Sequence, residues 1–292
     1  ILKDTTIEEV MSIDVMRGVE FDSYAGESFY NGKMQPIVDE LRDKNLLKES
    51  DGAYIVDLEE YNMTPCIILR SDGATLYSTR DLAAAQYRKD TYDFAKSLYV
   101  VAYQQNLHFK QLFKVLELMG REWASDCEHV AFGMVSLEGG ETLSTRKGKV
   151  LKLEDVLHTA IAKAKDIMLE KSADLENMDE VSRQVGIGAV VFSVLHNSRI
   201  KDITFSYDRI LSFDGGTAPY LQYSHARCCN VLKKAPADWK AARPDYSELG
   251  NEYAFEVIRL LSTYATSLQA ALQKNEPYLI TRHLMDIAQA YN

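Results

Sequence analysis

A short basic segment of the sequence has the residue types needed to hold a polyphosphate. Residues 143–150 read Leu-Ser-Thr-Arg-Lys-Gly-Lys-Val and lead directly into a predicted helix start. Backbone N–H groups near Gly148 can approach a phosphate closely, Arg146 and Lys147 supply positive charge, and Ser144 adds a hydroxyl. Taken alone, such a segment is also typical of a solvated surface loop, so the function depends on what else the chain carries.

Tyr77 and Asp81 form a second group of residues whose side chains could bind a ligand. They are four residues apart in a segment whose alanines at 83–85 predict a helix, so their side chains share one face. A carboxylate that faces a cleft suits a guanidinium, and a tyrosine ring can pack on that planar cation. The alternative is structural: Asp81, with residues 78–80, caps the helix, and Tyr77 packs in the core.

These residues follow predicted strands. Three apolar runs with helices between them predict a parallel α/β sheet: residues 66–69, 97–103 and 129–135. In such sheets ligands bind beyond the carboxyl ends of the strands. Tyr77 and Asp81 follow the first run, Gln105 and His108 follow the second, and the basic segment follows the third. The sequence therefore predicts that the three groups line one site.

In this order, the segments 70–85, 98–108 and 143–150 resemble those of the arginyl-tRNA synthetases, a family of class I aminoacyl-tRNA synthetases. The resemblance continues through residues 213–227 and covers nearly the whole chain. It implies L-arginine and ATP (with Mg²⁺) as substrates and tRNA(Arg) as the partner. It also implies no tightly bound cofactor or metal, no membrane association, a cytoplasmic location and a monomer.

The resemblance also implies roles for individual residues. The predicted arginine-binding residues are Tyr77, Asp81 and Gln105. The predicted ATP-binding residues are His108, Gly133, Met134, Val135, Arg146 and Lys147. The predicted catalytic residues are Ser144, Arg146 and Lys147, and the predicted tRNA-binding residues are Tyr223 and Arg227. Gln105 is preferred over its neighbour because adjacent side chains at a strand end face opposite ways, and Gly133 is expected to let backbone groups approach the adenine. For His108 a purely structural role at the helix start is the alternative, and for Tyr223 and Arg227 the alternative is helix packing.

The sequence departs from both signatures of the class I enzymes. The second, usually Lys-Met-Ser-Lys-Ser, is replaced here by Leu-Ser-Thr-Arg at 143–146, which leaves open whether Arg146 or Lys147 contacts the leaving pyrophosphate. The first, His-x-Gly-His, is absent from the six histidines of the sequence. We therefore expect a C-terminal fragment that begins after this signature and that is inactive by itself.

The predicted fold class is α/β followed by all-α: the second half of a class I Rossmann-type nucleotide-binding domain, then a helical anticodon-binding bundle. The boundaries follow the change from alternating strands and helices to helices alone. They are 1–65 for the remainder of an insertion in the catalytic domain, 66–155 for the catalytic half-domain, 156–212 for connecting helices and 213–292 for a truncated anticodon-binding domain.

Composition constrains the function only weakly. The chain has 292 residues and a formal net charge of −10, which is unusual for a nucleic-acid partner, but its basic residues gather locally around 146–152 and 233–243. No apolar run approaches the roughly 18 residues of a membrane span. The four cysteines are not in Cys-x-x-Cys spacing, and no histidine is expected near them in metal-ligand spacing, which favours reduced thiols over a zinc site.

Three other interpretations remain open on the sequence. The chain could come from a different class I synthetase with a similar helical domain, such as the cysteine enzyme. It could be a non-catalytic tRNA-binding or regulatory module derived from a class I synthetase, or an unrelated nucleotide-binding α/β protein. Asp81 and the lack of a zinc-ligand set argue against the first, and the Tyr77–Asp81 pair with the basic segment argues against the second.

Overall fold

The computed structural model describes residues 2–137, 152–171, 176–241, 243 and 245–292. The described residues form two compact units, which we call the central unit (21–132) and the helical unit (1–20 with 133–292). The α-helices are α1 (Leu2–Arg17), α2 (Met34–Asp43), α3 (Tyr77–Tyr92), α4 (Asn106–Leu118), α5 (Leu153–Lys171), α6 (Met178–Leu195), α7 (Tyr207–Ile210), α8 (Ala218–Lys233), α9 (Glu252–Lys274) and α10 (Tyr278–Tyr291). The strands are β1 (Leu47–Ser50), β2 (Ala53–Val56), β3 (Cys66–Leu69), β4 (Ser97–Ala102), β5 (Cys127–Phe132), β6 (Val135–Leu137) and β7 (Ile203–Phe205).

The central unit contains a parallel β4–α4–β5 motif. Strands β4 and β5 pair in parallel from Ser97 opposite Cys127 to Ala102 opposite Phe132. Helix α4 connects them and buries Phe109 and Leu116 in the core of the unit. A crossover helix between parallel strands is what the second and third apolar runs predict, and this part of the sequence-based fold is confirmed.

The first apolar run has a different place from the one predicted. Strand β3 is the third strand of an antiparallel sheet in the order β1–β2–β3, and its register places Cys66 opposite Val56. The prediction that residues 66–69 form a strand of the parallel sheet was therefore wrong. Hairpin pairing with β2 satisfies the β3 backbone, and a four-residue apolar run carries no information about its partner strand. The predicted domain boundary between residues 65 and 66 lies between β2 and β3 and stays a prediction.

A tight turn leads from β3 to α3. The Asp72 Oδ1 atom accepts a hydrogen bond from the Ala74 N–H at 3.0 Å, and Gly73 has a φ of 78°, which an L side chain rarely adopts. Helix α3 then begins at Tyr77. Its N-cap is Leu76, which makes no capping hydrogen bond through its side chain, so the predicted cap at residues 78–81 was wrong. Those residues instead form the first turn of the helix.

The helical unit is built around the pair α5 and α6. These helices bury Leu157, Ala160 and Ile187 against one another, and the parallel strands β6 and β7 pack at the same core, with Val135 opposite Ile203. Gly186 lies where the two helices approach most closely: a Cβ atom there would lie 2.7 Å from the Ile161 backbone. The small side of α6 therefore lets the two backbones come together.

Helices α8, α9 and α10 form the last part of the helical unit. Asn251 caps α9 by accepting a hydrogen bond from the Ala254 N–H at 2.8 Å. Buried His283 joins α10 to α9: its Nε2 lies 2.9 Å from the Leu260 carbonyl and its Nδ1 lies 3.1 Å from Ser267 Oγ. The spacing of apolar residues in the sequence predicts helices near 154–171, 181–198, 219–235, 252–273 and 280–291. The structure confirms each of them within a few residues. None of the helices in the described ranges combines the length and hydrophobicity that crossing a membrane requires.

Candidate active site

Helix α3 places Tyr77 and Asp81 on a face away from the core. The opposite face buries Thr79, Leu82 and Ala85 completely, and the Thr79 hydroxyl donates to the Ile68 carbonyl of β3. The Tyr77 side chain is 60% exposed and the Asp81 side chain 38% exposed. Because the buried face and the β3 contact fix the rotation of the helix, both predicted arginine-binding side chains are presented outward together.

His108 joins this pair from helix α4. Its Nε2 atom lies 2.7 Å from Asp81 Oδ2, and its ring meets the Tyr77 ring edge-on at a centroid distance of 5.1 Å. An ionised carboxylate can only accept hydrogen bonds, so the Nε2 atom carries the hydrogen. Three residues predicted from two separate segments therefore lie in one cluster, Tyr77–Asp81–His108, in the central unit.

Arg80, the neighbour of Asp81, was not singled out by the sequence. Its Nη1 donates to Glu27 Oε2 at 2.6 Å, and the Arg80 side chain is 25% exposed. Because the Arg80 guanidinium is paired with Glu27, it does not neutralise the neighbouring Asp81 carboxylate. A motif with adjacent Arg and Asp gives no sign of which of the two is already paired.

Gln105 lies at the N-terminal end of α4, three residues before His108. Both Gln104 and Gln105 are exposed, and they belong to a 3-10 helix, Tyr103–Gln105, and not to the strand itself. The alternation of side chains along a strand therefore gives no reason to prefer Gln105 over Gln104. The contact between Gln105 and arginine stays a prediction.

Gly133 lacks the open backbone face that was expected to let backbone groups approach the adenine. The Gly133 N–H donates to the Arg199 carbonyl at 2.7 Å, and a Cβ atom on Gly133 would lie 2.3 Å from the Lys201 carbonyl oxygen. The open side of this glycine is therefore filled by the protein's own backbone. Met134, whose N–H is held by Asp202 Oδ1 at 2.6 Å, keeps a side chain that is 40% exposed.

The Val135 side chain is directed into the helical unit. It is partly buried and packs against the core of the helical unit formed by residues such as Leu157 and Phe205. Of the three residues predicted to surround adenine, only Met134 thus offers an exposed side chain. The predicted residues Ser144, Arg146 and Lys147 lie outside the described residues.

Tyr223 and Arg227 lie one turn apart on the exposed side of α8. Tyr223 is 59% exposed, and Arg227 Nη1 donates to Asn292 Oδ1 at 3.1 Å. Tyr220, three residues before Tyr223 on the same helix, is half-buried, and its hydroxyl accepts a hydrogen bond from Asn292 at 3.2 Å. An exposed aromatic ring one turn from a guanidinium suits a nucleic-acid surface better than a helix-packing face.

The expectation that no histidine lies near a cysteine in ligand spacing was wrong. His225 and Cys229 are four residues apart on α8, and the His225 Nε2 lies 3.6 Å from the Cys229 Sγ. This i, i+4 spacing is a feature of the sequence itself. Cys66, Cys127, Cys228 and Cys229 are all free thiols.

The four thiols differ in environment, which predicts selective alkylation. Burial raises the pKa of Cys66 to about 11 and that of Cys127 to about 11. At pH 8 such thiols are thiolates in only about one molecule in a thousand. With iodoacetamide at pH 8, we expect the partly exposed Cys228 and Cys229 to be modified first, as read by peptide mass spectrometry. Equal labelling of Cys66 in the folded protein would contradict this, and unfolded protein is the control for intrinsic reactivity.

The fold is that of solved class I synthetase structures. The chain superimposes on an arginyl-tRNA synthetase from Plasmodium falciparum with a TM-score of 0.86 at 21% identity, covering 99% of this chain and 50% of that one. For an arginyl-tRNA synthetase from Thermus thermophilus the TM-score is 0.85 at 24% identity, with 97% and 53% covered.

The family follows from the sequence matches. Residues 3–207 match the family described as tRNA synthetases class I (R), catalytic domain, and residues 221–292 match the DALR anticodon binding domain. The chain therefore belongs to the class I arginyl-tRNA synthetase family. It is 56% identical over 290 residues to the arginine–tRNA ligase of Clostridioides difficile, and the match covers 99% of this chain and 51% of the relative. It is 54% identical over 291 residues to the arginine–tRNA ligase of Halothermothrix orenii, and that match covers 100% of this chain and 51% of the relative. The chain spans about half the length of the curated relatives it matches.

Proposed function

We propose that the protein containing this chain is an arginine–tRNA ligase, which activates L-arginine with ATP and transfers it to tRNA(Arg). The observation that carries the proposal is the Asp81 carboxylate, exposed beside the Tyr77 ring at the start of α3. Two comparisons support the proposal. The chain is 56% identical to an arginine–tRNA ligase, and it matches a catalytic family and an anticodon-binding family.

The Tyr77–Asp81–His108 cluster has the chemistry for a guanidinium. Asp81 Oδ2 is held by His108, whereas Asp81 Oδ1 makes no hydrogen bond within the described part of the chain. A guanidinium that donates to both carboxylate oxygens gains charge-assisted hydrogen bonds in a fixed, planar geometry. The exposed Tyr77 ring offers a face for the same cation. Gln105 is proposed to bind the amino-acid end of the substrate.

Activation then needs positioning more than proton transfer. A carboxylate oxygen of arginine attacks the α-phosphorus of ATP, the bond from that phosphorus to the bridging oxygen breaks, and pyrophosphate leaves with the electron pair. Because the attacking carboxylate is already ionised, no general base is required. We assign Arg146 and Lys147, with Ser144, to stabilise the charge that develops on pyrophosphate, and ATP enters as its Mg²⁺ complex.

For the nucleotide base, Met134 is the residue we favour. Its exposed thioether side chain can cover an adenine ring, whereas Gly133 and Val135 are occupied by packing within the helical unit. Gly133 and Val135 are therefore proposed to contribute to ATP binding only through backbone groups that are not already hydrogen-bonded within the protein.

The tRNA is proposed to contact α8. Tyr223 can stack on an unpaired base and Arg227 can bind a phosphate or a base edge. Residues 221–292 match an anticodon-binding family, which supports placing this contact in the anticodon loop. We further propose that the protein works as a monomer in the cytoplasm.

The second candidate is a non-catalytic tRNA-binding or regulatory module that kept the synthetase fold. The Asp81 carboxylate faces outward, and its neighbour Arg80 is already paired with Glu27, so Asp81 is available to bind a cationic substrate. A module that only binds tRNA does not require such a group. The presence of Asp81 in that state favours the ligase, and the two candidates differ in whether they catalyse any arginine-dependent reaction.

ATP–pyrophosphate exchange separates these functions. With each amino acid in turn, with and without total tRNA, we expect the full-length protein to exchange label only with arginine and only when tRNA is present. The chain by itself, whose sequence lacks the first class I signature, is the control and is expected to be inactive. Exchange with another amino acid would move the specificity away from Tyr77 and Asp81. No exchange at all would favour the binding module.

A further inference from the structure

We infer that His108 is a positioning residue of the amino-acid site: it holds the Asp81 carboxylate in the orientation that receives the substrate's guanidinium. This inference rests on the proposed function. It assigns His108 to arginine recognition and replaces the sequence-based expectation of a contact with ATP.

The contact between the two residues is direct and joins distant parts of the chain. His108 lies in the first turn of α4 and Asp81 in the first turns of α3, and their Nε2 and Oδ2 atoms are 2.7 Å apart. The His108 side chain is only 10% exposed, whereas the Asp81 side chain is 38% exposed. The histidine therefore stands behind the carboxylate and leaves the outer side of Asp81 open to a ligand.

The His108 ring is itself fixed by its neighbours. It meets Tyr77 and Phe109 edge-on, each at a centroid distance of 5.1 Å. Phe109 is 5% exposed in the core of the central unit, where it stacks on His129 at 4.3 Å. The core thus holds the imidazole, and the imidazole holds the carboxylate.

This arrangement favours arginine binding through preorganisation. A surface aspartate without a second partner samples several rotamers, and fixing one of them when the ligand arrives lowers the net affinity. A carboxylate already held through one oxygen needs no such ordering, and its other lone pairs remain available. The Nε2 hydrogen, in turn, is used by Asp81, so it is not free to donate to an adenylate.

The test compares His108→Gln with His108→Asn in the full-length protein. Glutamine places its amide nitrogen near the position of the imidazole Nε2, whereas asparagine mimics Nδ1 and is too short to reach Asp81. In tRNA-dependent pyrophosphate exchange we expect His108→Asn to raise the KM for arginine roughly tenfold, about the loss of one hydrogen bond to a charged group, with the KM for ATP little changed. His108→Gln is expected to restore most of that loss.

A double mutant separates positioning from general structural damage. If His108 acts through Asp81, the effect of His108→Asn on the KM for arginine should disappear in an Asp81→Ala background, whereas independent effects would add. Gln111→Ala is the structural control: it removes the hydrogen bonds from α4 to Thr64 but touches neither Phe109 nor the Tyr77–Asp81–His108 cluster, so it should leave the KM for arginine unchanged.

The outcomes distinguish this inference from the proposed function. An increased KM for ATP with an unchanged KM for arginine would overturn the inference and restore the adenylate contact. Additive effects of His108→Asn and Asp81→Ala, or no rescue by glutamine, would also overturn it. If the unmodified protein shows no arginine-dependent exchange, the proposed function itself fails. If Asp81→Ala raises the KM for arginine but His108→Asn does not, only the role of His108 fails.

Discussion

Asp81→Ala is expected to weaken arginine binding by about 2–5 kcal/mol, the range for truncating one member of a buried, hydrogen-bonded charge pair. The reason is that bound arginine is proposed to cover the exposed Asp81 carboxylate, and the truncation would leave the guanidinium without its only proposed anionic partner. Isothermal titration of the full-length protein with arginine measures the change. The KM for ATP is expected to stay close to its original value, because of the two substrates only arginine is proposed to contact this carboxylate.

Asp90→Ala is the matched control for this variant. Asp90 lies on the same helix, α3, and its carboxylate accepts a hydrogen bond from Gln86 at 2.8 Å, far along the helix from His108. It removes one negative charge from α3 without touching the Tyr77–Asp81–His108 cluster. Equal losses of arginine affinity in the two variants would show that net charge, and not the position of Asp81, is responsible. An unchanged affinity in Asp81→Ala would remove Asp81 from the site.

Gly186→Ala is expected to destabilise the helical unit by roughly 2–3 kcal/mol, because an added methyl group overpacks the α5–α6 contact. The new Cβ atom would lie 2.7 Å from both the Cα and the N atom of Ile161. Backbone atoms cannot rotate away, so the helices must separate and loosen the packing around Leu157 and Ala160. The higher helix propensity of alanine, about 1 kcal/mol, offsets only part of this loss. Urea denaturation measures the difference.

Gly188→Ala, two residues further along α6, is the control. The Cβ atom there would lie 2.9 Å from the Nε2 atom of Gln222, the end of a flexible side chain that can turn aside. We expect this variant to lie within about 1 kcal/mol of the unmodified protein, because the propensity gain is the same and the backbone clash is absent. Similar losses at both positions would mean that α6 tolerates no added volume on either face.

Much of the fold could be predicted from the sequence where the signal is local. Apolar side chains at helical spacing predicted helices α5, α6, α8, α9 and α10 within a few residues, because one buried face of a helix imposes a period that the sequence records. The β4–α4–β5 motif was predicted for the same reason. Strand pairing was not: the run at Cys66–Leu69 joined a hairpin, since four apolar residues pack equally well beside either partner.

The candidate site divides along the same line. The spacing of Tyr77 and Asp81 was sufficient to predict that they share one face of a helix, because a helix repeats every 3.6 residues whatever surrounds it. Only the tertiary structure decided that His108, 27 residues away, holds Asp81, and that the backbone of Lys201 fills the open side of Gly133. Residue type and local period are properties of the sequence itself. Which distant groups meet is decided by how the helices and strands pack, since that packing alone sets the distances between them.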